Sequence, residues 1–453
     1  MNALERLADW VANSSRQQSQ ANLERATNTF VDTLGCNLSG IAEPVVAKAY
    51  HSIQATSSGN VTAFGFGQTS AAGAALVNAT ASHSQDYDDY NQSSVAHTSA
   101  VLVPTALAVS EQMQSSGAQC LDASIVGLEV MVYLGAVINM DHYLRGWHAT
   151  STLGAVGAAA VASRLMHLDA EKTAMAMSLS TSMIGGFKLQ FGTMAKPLHA
   201  GLAAQAGINA ALFASNGISA SMQVVDDAAG MTSMWSDTNP DHFAARVIPE
   251  SGQLAIEREG LFVKCYPSCG YTSRAIDAMI DLMSENQIDA GDIEKIEIDV
   301  PDRHAVVVCF TQPENSMQAK FSFPYCLAVA ALHGSVNSEH FFDNVIHNDT
   351  IRALAARVTV YSYRADPSLN DLSPEAPDTI RVYLQNGQCY EKTAADSRGS
   401  PNKPLSRAEL FEKFWRCVGD TSADKSQVEQ IFIEFQKAGS VSAIVRQIDL
   451  LTV

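Results

Sequence analysis

Apolar residues recur at helical spacing along roughly the first 265 residues of the 453-residue chain. Leu4, Leu7 and Val11 would share one face of a helix, and a second helix around Phe30 could end at Gly35. Three later stretches are rich in small residues, which let helix backbones approach closely, so we expect central buried helices at 71–81, 154–163 and 201–214. This part of the chain is therefore predicted to be helical.

The pattern changes to alternation from about residue 288. Ile296, Ile298 and Val300 alternate with Glu297 and Asp299, as in a half-buried strand. Further strands are predicted at 306–310, 357–363, 379–384 and 389–392, the last two joined by an Asn-Gly hairpin signal at 386–387. Helices are predicted between these strands at 323–332 and 349–356.

The end of the chain returns to a helical pattern. Ser406 and Glu409 fit a capping box, and apolar residues follow on one face from Leu410 to Trp415. We therefore predict a mainly α protein with one large all-helical domain built from both chain ends, residues 1–265 and 400–453. Residues 266–399 are predicted to form a smaller α+β domain inserted between them.

The charge balance limits the partners of this protein. The chain has 29 basic and 47 acidic residues and a formal net charge of −18, which argues against nucleic acid and against an anionic membrane surface. An anionic substrate would need a local cluster of Lys, Arg and His. Only 17% of the residues are charged, which indicates that much surface is buried, in part against another subunit.

Several features favour a cytoplasmic location. Glu5 and Asp9 interrupt any apolar run at the N-terminus, so a signal peptide is not expected. The sequence has no uninterrupted run of about 18 apolar residues, so no membrane span is expected. The eight cysteines are scattered, as is typical of reduced thiols in a cytosol.

The first polar cluster runs from His83 to His97 and contains Asp86, Asp88 and Asp89. It lies between two apolar segments, and a loop held by rigid helices is a frequent position for a functional site. The alternative is a solvated acidic loop whose aspartates cap helices.

The second polar cluster precedes the small-residue helix predicted at 154–163. Its members suited to acid–base chemistry or anion binding are His142, Tyr143, Arg145 and His148. Thr150 and Ser151 could cap the helix, whose N-terminal amides favour an anion. Alternatively, Trp147 and His148 are core residues.

Two lysines lie beside strongly apolar segments. Lys196 directly precedes Pro197 and an apolar helix, and Lys264 follows Phe262 and Val263. A lysine is rarely buried without a partner, so each could bind a substrate carboxylate. Alternatively, Lys196 is an exposed loop residue.

No metal site and no cofactor are expected. Cys265 and Cys269 lack a second Cys or His pair at zinc spacing nearby. The GFGQTS run at 65–70 lacks the Walker lysine, and the GAVGAA run at 154–159 follows no predicted strand. The clusters nonetheless supply what proton transfer next to a carboxylate requires, because cations stabilise the enediolate-like dianion and a base accepts the proton.

In this order, the clusters resemble motifs of the MmgE/PrpD family over essentially the whole chain. The motifs are HSQDYDDY with the following His97, GWHATSTLG, GTMAKPLHAG and KCYPSCGY. That family includes 2-methylcitrate dehydratase, cis-aconitate decarboxylase and iminodisuccinate epimerase. The resemblance implies that the inserted α+β domain is a lid, that the site lies between it and the helical domain, and that the protein is a homodimer.

The resemblance also implies a set of site residues. Catalytic roles are expected for His97, His148, Lys196, Lys264, Tyr143 and one aspartate of the first cluster, with Asp88 favoured. Substrate-binding roles are expected for Asp86, Asp89, Arg145, Thr150, Ser151 and His199. His148 or Lys196 would be the base, Tyr143 the acid of an epimerase, and Asp88 would orient His97 and keep it basic.

We therefore expect a cofactor-independent lyase, either a dehydratase or a decarboxylase, that acts on a 2-methylcitrate- or aconitate-like acid. The spacing from DDY to His97 resembles that of fungal cis-aconitate decarboxylases. The runs HYLRGWHATSTLG and FGTMAKPLH are most similar to iminodisuccinate epimerase, which makes an epimerase the alternative. A non-catalytic binding protein is the third hypothesis.

Overall fold

Two hydrophobic cores organise the computed structural model, which describes residues 1–244, 246–249, 252–366, 369, 372–419, 424–436 and 441–451. The larger core draws its buried residues from 3–256 and from 410–451. The smaller core uses residues from 266–384 together with Tyr143. The mainly α fold is thereby confirmed, with a large helical domain formed from both chain ends and a smaller α+β lid. The large domain is not all-helical as predicted, because residues 61–63 and 67–69 pair as two short antiparallel strands.

The helices and strands are numbered in chain order. Those of the N-terminal part are α1 (Ala3–Asn13), α2 (Gln20–Gly40), α3 (Pro44–Gln54), β1 (Val61–Ala63), β2 (Gly67–Thr69), α4 (Ala71–Ser84), α5 (Thr98–Met113), α6 (Gly117–Ile138), α7 (Asp141–Leu144), α8 (Ala149–Leu165), α9 (Ala170–Thr181), α10 (Ala195–Ser215), α11 (Met231–Trp235), α12 (Asp241–Ala244) and α13 (Ala255–Arg258). Those of the lid are α14 (Ser273–Glu285), β3 (Ile293–Pro301), α15 (Asp302–Val307), α16 (Ser316–Ala319), α17 (Phe323–His333), α18 (Asp343–Ile346), α19 (Asp349–Ala355), β4 (Val358–Tyr363), β5 (Asp378–Leu384) and β6 (Cys389–Ala394). The C-terminal helices are α20 (Arg407–Val418), α21 (Lys425–Gln436) and α22 (Val441–Leu451).

Helices α4, α8 and α10 form the centre of the helical domain because their small residues allow close packing. A Cβ atom added at Gly207 of α10 would lie 2.4 Å from the Cβ of Ala158 in α8. One added at Gly201 would lie 2.4 Å from the backbone oxygen of Leu76 in α4. The close approach places the first turns of α8 and α10 beside the end of α4, and the polar clusters lie at these ends.

The lid is built on a four-stranded sheet in the order β4-β3-β5-β6. Strands β3 and β4 are parallel, whereas β5 pairs with β3 and β6 in antiparallel fashion. Ile296, Ile298 and Val300 of β3 are fully buried, as their alternation predicts. Helices α14 and α17 pack against this sheet.

Two local predictions were wrong. Residues 306–310 do not form a strand, because α15 begins at Asp302 and buries His304 and Val307, which lie three residues apart on one helical face. Gly35 does not end α2, which continues to Gly40. Gly35 instead makes room for α20, since an added Cβ atom would lie 3.1 Å from the ring of Phe414.

The C-terminal helix α20 packs against α2 and so joins the end of the chain to its beginning. Lys413 of α20 forms a buried ion pair with Asp32 of α2, with 2.6 Å between Nζ and Oδ1. Burial by itself would lower the pKa of Lys413, but Asp32 and its other neighbours raise that pKa well above its ordinary value. Burial raises the pKa of Asp32, and Lys413 opposes that shift.

Helix α6 is long and apolar enough to cross a membrane by length and composition. Within the protein, 89% of its most apolar window is buried. Its Glu129 is buried as well and accepts a hydrogen bond from the backbone N–H of Ala255 at 2.5 Å. This helix therefore packs as a core element of the helical domain.

Candidate active site

A cavity lies between the helical domain and the lid and has about 540 Å³ of empty space, its open mouth included. The helical domain contributes the polar side chains Asp86, His97, Tyr143, His148 and Lys196. The lid contributes mainly apolar groups, among them Tyr271, Val307, Phe321 and Leu372. One wall can therefore carry charge while the other excludes water.

Asp86 lies at the centre of the charged wall. One carboxylate oxygen is 3.0 Å from Nζ of Lys196, and the other is 2.5 Å from Nζ of Lys264. Nε2 of His97 is 3.8 Å away. Burial alone would raise the pKa of Asp86, but the two lysines and His97 lower it well below its ordinary value. Asp86 is therefore an anion that pairs with two ammonium groups, of which that of Lys196 lines the cavity.

Asp88 lies behind the cavity and orients two histidines. Its Oδ2 is 2.8 Å from Nδ1 of His83 and 3.1 Å from Nδ1 of His97. Burial lowers the pKa of His97, and Asp88 opposes that shift in the direction expected of it. Of the two aspartates, the structure places Asp86, not the favoured Asp88, on the cavity wall.

Lys196 lies in the first turn of α10 and is almost completely buried. Its Nζ is paired with Asp86, but among the described residues it has no hydrogen bond of good geometry. The rings of Phe191 and Phe321 lie 5.5 and 5.2 Å from Nζ. Lys196 is therefore a cation with hydrogen-bonding capacity left for a ligand in the cavity.

His148 is the N-cap residue of α8 and lines the cavity as a neutral base. Its Nδ1 is 3.0 Å from Nδ1 of His199, and its ring stacks 5.8 Å from that of His83. Burial, reinforced by the neighbouring histidines and Lys196, lowers the pKa of His148 well below its ordinary value. Burial also lowers the pKa of His199 to about 4, so both rings are uncharged near neutral pH.

Tyr143 lines the cavity beside the groups just described. Nζ of Lys188 lies 3.9 Å from the centre of its ring, an arrangement typical of a cation–π contact. The Lys188 backbone N–H donates to the Gly146 carbonyl, which ties the second polar cluster to the segment before α10. Tyr143 thus connects the cavity to this segment.

The other residues expected in the site lie away from the cavity surface. Thr150 accepts a hydrogen bond from the backbone N–H of His97 at 3.0 Å. Ser151 packs against Gly186, since a Cβ atom added at Gly186 would lie 2.9 Å from the Cβ atom of Ser151. Both side chains are buried structural groups. His199 and Lys264 support His148 and Asp86 from behind, as their contacts above show.

Asp89 and Arg145 are corrections to the expected substrate-binding set. Both oxygens of buried Asp89 accept hydrogen bonds from Ser99, at 2.5 Å from its hydroxyl and 3.3 Å from its backbone N–H. Arg145 is exposed and pairs with Asp237 at the surface. Neither residue lines the cavity. Asp89 is bonded to the first turn of α5, and Arg145, directly after α7, is exposed although Tyr143 of α7 is buried at the cavity.

Sequence reasoning missed three polar residues beside the site. No role was predicted for His83 from the sequence, yet it contacts Asp88 and stacks on His148. Lys320 and Lys413 are far along the chain, and both hold the backbone of the first cluster. The apolar neighbours Ala319 and Phe321 of Lys320 are the sequence signal that could have indicated its burial.

Four residues of the first polar cluster lie close enough together to be considered as ligands of a metal ion. His83, Asp86, Asp88 and His97 each offer an atom within 4.8 Å of the others, close enough to share an ion. The Asp86 oxygens, however, already pair with two ammonium groups that would repel a cation. With both lysines in place, Asp86 is therefore a poor ligand for a metal ion.

Replacing Asp89 by Asn should make stability less dependent on pH. Burial, with Asp32 nearby, raises the pKa of Asp89 from 3.8 to about 7. The stabilisation linked to a raised acid pKa is complete below pH 4 and is lost as the pH rises through 7, by about 2 kcal/mol between pH 5.5 and 8. In urea unfolding, Asp89→Asn should gain this amount relative to wild type over the same interval. A shift equal to that of the exposed control Glu24→Gln would contradict the assignment.

Comparisons with known proteins cover both domains. The family model described as the MmgE/PrpD N-terminal domain matches residues 5–244, and that described as the MmgE/PrpD C-terminal domain matches residues 266–437. The chain is 28% identical over 415 residues to cis-aconitate decarboxylase of Homo sapiens, an alignment that covers 86% of this chain and 82% of that protein. It is 26% identical over 379 residues to the Mus musculus enzyme, covering 80% and 75%. It is 23% identical over 456 residues to the Aspergillus terreus enzyme, covering 94% and 91%.

Proposed function

We propose that this chain, which belongs to the MmgE/PrpD family, is a cofactor-independent decarboxylase of an aconitate-like tricarboxylic acid. The names of its relatives support decarboxylation over dehydration within the lyases. The cavity also suits such a substrate, since a small polycarboxylate needs a local positive wall in a protein of net charge −18.

The observation that carries the proposal is the buried ammonium group of Lys196. Asp86 has one negative charge and pairs with two lysine ammonium groups, so it neutralises only one of their two positive charges. Lys196 faces the cavity and lacks a well-oriented hydrogen bond among the described residues. A substrate carboxylate would supply the missing charge and the missing acceptor.

The same geometry supports a proton donor and a sink for charge. When the bond to the departing carboxylate breaks, its electron pair forms a new double bond and CO₂ leaves. The electrons of the existing double bond then take a proton at the carbon next to another carboxylate. The lysine charges stabilise the developing enediolate-like anion, and the Lys196 ammonium can deliver that proton and recover one from solvent.

Proton NMR in D₂O tests the proposal with a panel of cis-aconitate, 2-methylcitrate and iminodisuccinate. We expect consumption of the aconitate-like acid, release of CO₂ and incorporation of one deuteron into the product. Loss or addition of water instead would identify a dehydratase. Exchange at the α-carbon without consumption would identify an epimerase, for which Tyr143 is the candidate second proton carrier. Binding without any exchange would identify a non-catalytic protein.

We also propose that the protein is a homodimer. Exposed apolar side chains concentrate near the second polar cluster and around the start of α10, although soluble proteins usually expose few: Leu144, Phe187, Leu189, Met194 and Leu202. Leu189 is 93% exposed. A second copy covering this face would explain the low charged fraction of 17%.

Light scattering at micromolar concentration should therefore give twice the chain mass of 48.4 kDa. Leu189→Glu should shift the protein toward the monomer, because a charge placed in an apolar interface is desolvated without a partner. Phe342→Glu is the matched control, since Phe342 is an exposed aromatic residue of the lid. A monomeric wild type, or dissociation only in the control, would contradict the dimer.

A further inference from the structure

Three buried lysines hold three consecutive backbone carbonyls of the first polar cluster. The hydrogen bonds, each 2.8 Å long, run from Lys320 to Gln85, from Lys264 to Asp86 and from Lys413 to Tyr87. The lysines come from three separate segments: the lid, the segment between the two domains and the C-terminal helix α20. The loop that carries Asp86 is therefore fixed by groups remote from it in sequence.

Asp86 needs this support because its backbone is in an uncommon conformation. Its φ is +53°, in the left-handed region, which few residues other than glycine occupy, although Asp and Asn do so more often than most. The carbonyl of residue 85 belongs to the rigid peptide plane whose rotation defines φ of Asp86. The carbonyl of Asp86 belongs to the plane that defines its ψ. A donor on each carbonyl therefore fixes both torsions and the direction of the carboxylate.

We propose that Lys320 is a positioning residue through which the lid sets the orientation of Asp86. The inference rests on the proposed function in so far as Asp86 serves the reaction. Lys320 is the lid residue among the three lysines, and it holds the peptide plane that sets φ of Asp86. When the lid is in place, Asp86 directs its carboxylate between Lys196 and Lys264.

The contacts of Lys320 tie the same segment to the cavity wall. Its backbone carbonyl accepts a hydrogen bond from the N–H of Cys269 at 2.9 Å, and Cys269 lines the cavity. The next residue, Phe321, also lines the cavity and lies 5.2 Å from Nζ of Lys196. One segment of the lid therefore carries both Phe321 of the apolar wall and Lys320, which supports Asp86 through Gln85.

Charged groups from several elements face the Lys320 ammonium, which is 1% exposed. Nζ also donates to the Gln85 side-chain oxygen at 2.7 Å, and the amide of Gln85 donates to Glu43 before α3. Burial lowers the pKa of Lys320 to about 8, with Glu43 and Asp86 opposing that shift and Lys196 and Lys264 adding to it. Lys320 therefore loses its proton as the pH rises through about 8, and its hold on Gln85 weakens.

Steady-state kinetics of Lys320→Met on the acid turned over by the wild type tests the inference. We expect kcat to fall by about 10²-fold, with a smaller change in KM, because a displacement of about 1 Å in a reacting group has an effect of that size. Wild-type kcat should decline above pH 8, whereas Lys320→Arg, which stays charged, should recover part of kcat and lack that decline. Arg164→Met is the matched control, because Arg164 is also a buried cation bound to backbone carbonyls, those of Val11, Ser14 and Ser15. It should lose stability and keep kcat.

Crystal structures of Lys320→Met and wild type give a readout independent of activity. We expect Asp86 to leave the left-handed conformation or its position between the two lysines. The inference would be overturned if Asp86 stayed in place in Lys320→Met and this variant kept the wild-type kcat. It would also be overturned if Asp86 stayed in place and Arg164→Met lost as much kcat as Lys320→Met. A wild type that transforms none of the acids contradicts the proposed function instead, and the crystal structures alone then decide the role of Lys320.

Discussion

Replacing Lys196 by Met should lower kcat by about 10²–10⁴-fold, the range typical of losing a group that transfers a proton. Met keeps the unbranched shape that fits beside Phe191 and Phe321, so the change removes the ammonium group and little packing. The loss should appear in kcat as well as in kcat/KM, because the charge stabilises the transition state more than the bound substrate.

Two further variants separate the roles of Lys196. Lys196→Arg keeps a positive charge but holds its proton too tightly to donate it, so it should recover substrate binding more than kcat. Lys48→Met removes an exposed lysine of α3 and should behave as wild type. Folding is checked by circular dichroism. Turnover of Lys196→Met within a few-fold of wild type would show that the chemistry has been assigned to the wrong group.

Replacing Asp86 by Asn should damage both stability and activity. The change leaves Lys196 and Lys264 buried without their shared anion, and breaking a buried ion pair typically costs about 3–5 kcal/mol. Their mutual repulsion should also move both ammonium groups away from the positions they have now. We therefore expect a lower urea midpoint and a fall in kcat of at least about 10²-fold.

The pH dependence of that loss follows from the direction of the Asp86 pKa. Because the folded pKa lies well below 3.8, the stabilising contribution is complete above about pH 4 and disappears as the pH falls through the folded value. The stability difference between Asp86→Asn and wild type should therefore be constant from pH 5 to 8 and shrink in strong acid. A difference that shrank between pH 5 and 8 would contradict the ion pairs described for Asp86.

Asp88→Asn is the comparison that distinguishes the two aspartates. Asp88 contacts His83 and His97 and lies behind the cavity, so its loss should alter the orientation of the histidines without freeing either lysine. We expect its effect on kcat to be smaller than that of Asp86→Asn. The reverse order would restore Asp88 as the aspartate that acts in the site.

Local patterns were enough to predict most of the helices and strands. Ile296, Ile298 and Val300 form a strand because alternation places them on one face of the sheet. The small residues of α8 and α10 predicted central helices because close approach of two backbones depends on side-chain size. The prediction of a strand at 306–310 was wrong. His304 and Val307 form the buried face of α15, and this helix is too short for periodicity to distinguish it from a strand.

The sequence by itself determined the fold class and the types of side chain available for chemistry, because periodicity and composition depend on neighbours along the chain. The tertiary structure decided which of them meet. Asp86 and Asp88 are two residues apart, and the left-handed backbone of Asp86 directs one carboxylate to the lysines while Asp88 contacts the histidines. Lys320 reaches Gln85 across 235 positions, and the convergence of Lys196, Lys264 and His97 on Asp86 follows from the packing of α4, α5, α10 and the segment before the lid. Burial then determined which groups are charged, because the exclusion of water disfavours the charged form of a side chain. How much water a fold excludes from a group cannot be read from a sequence pattern.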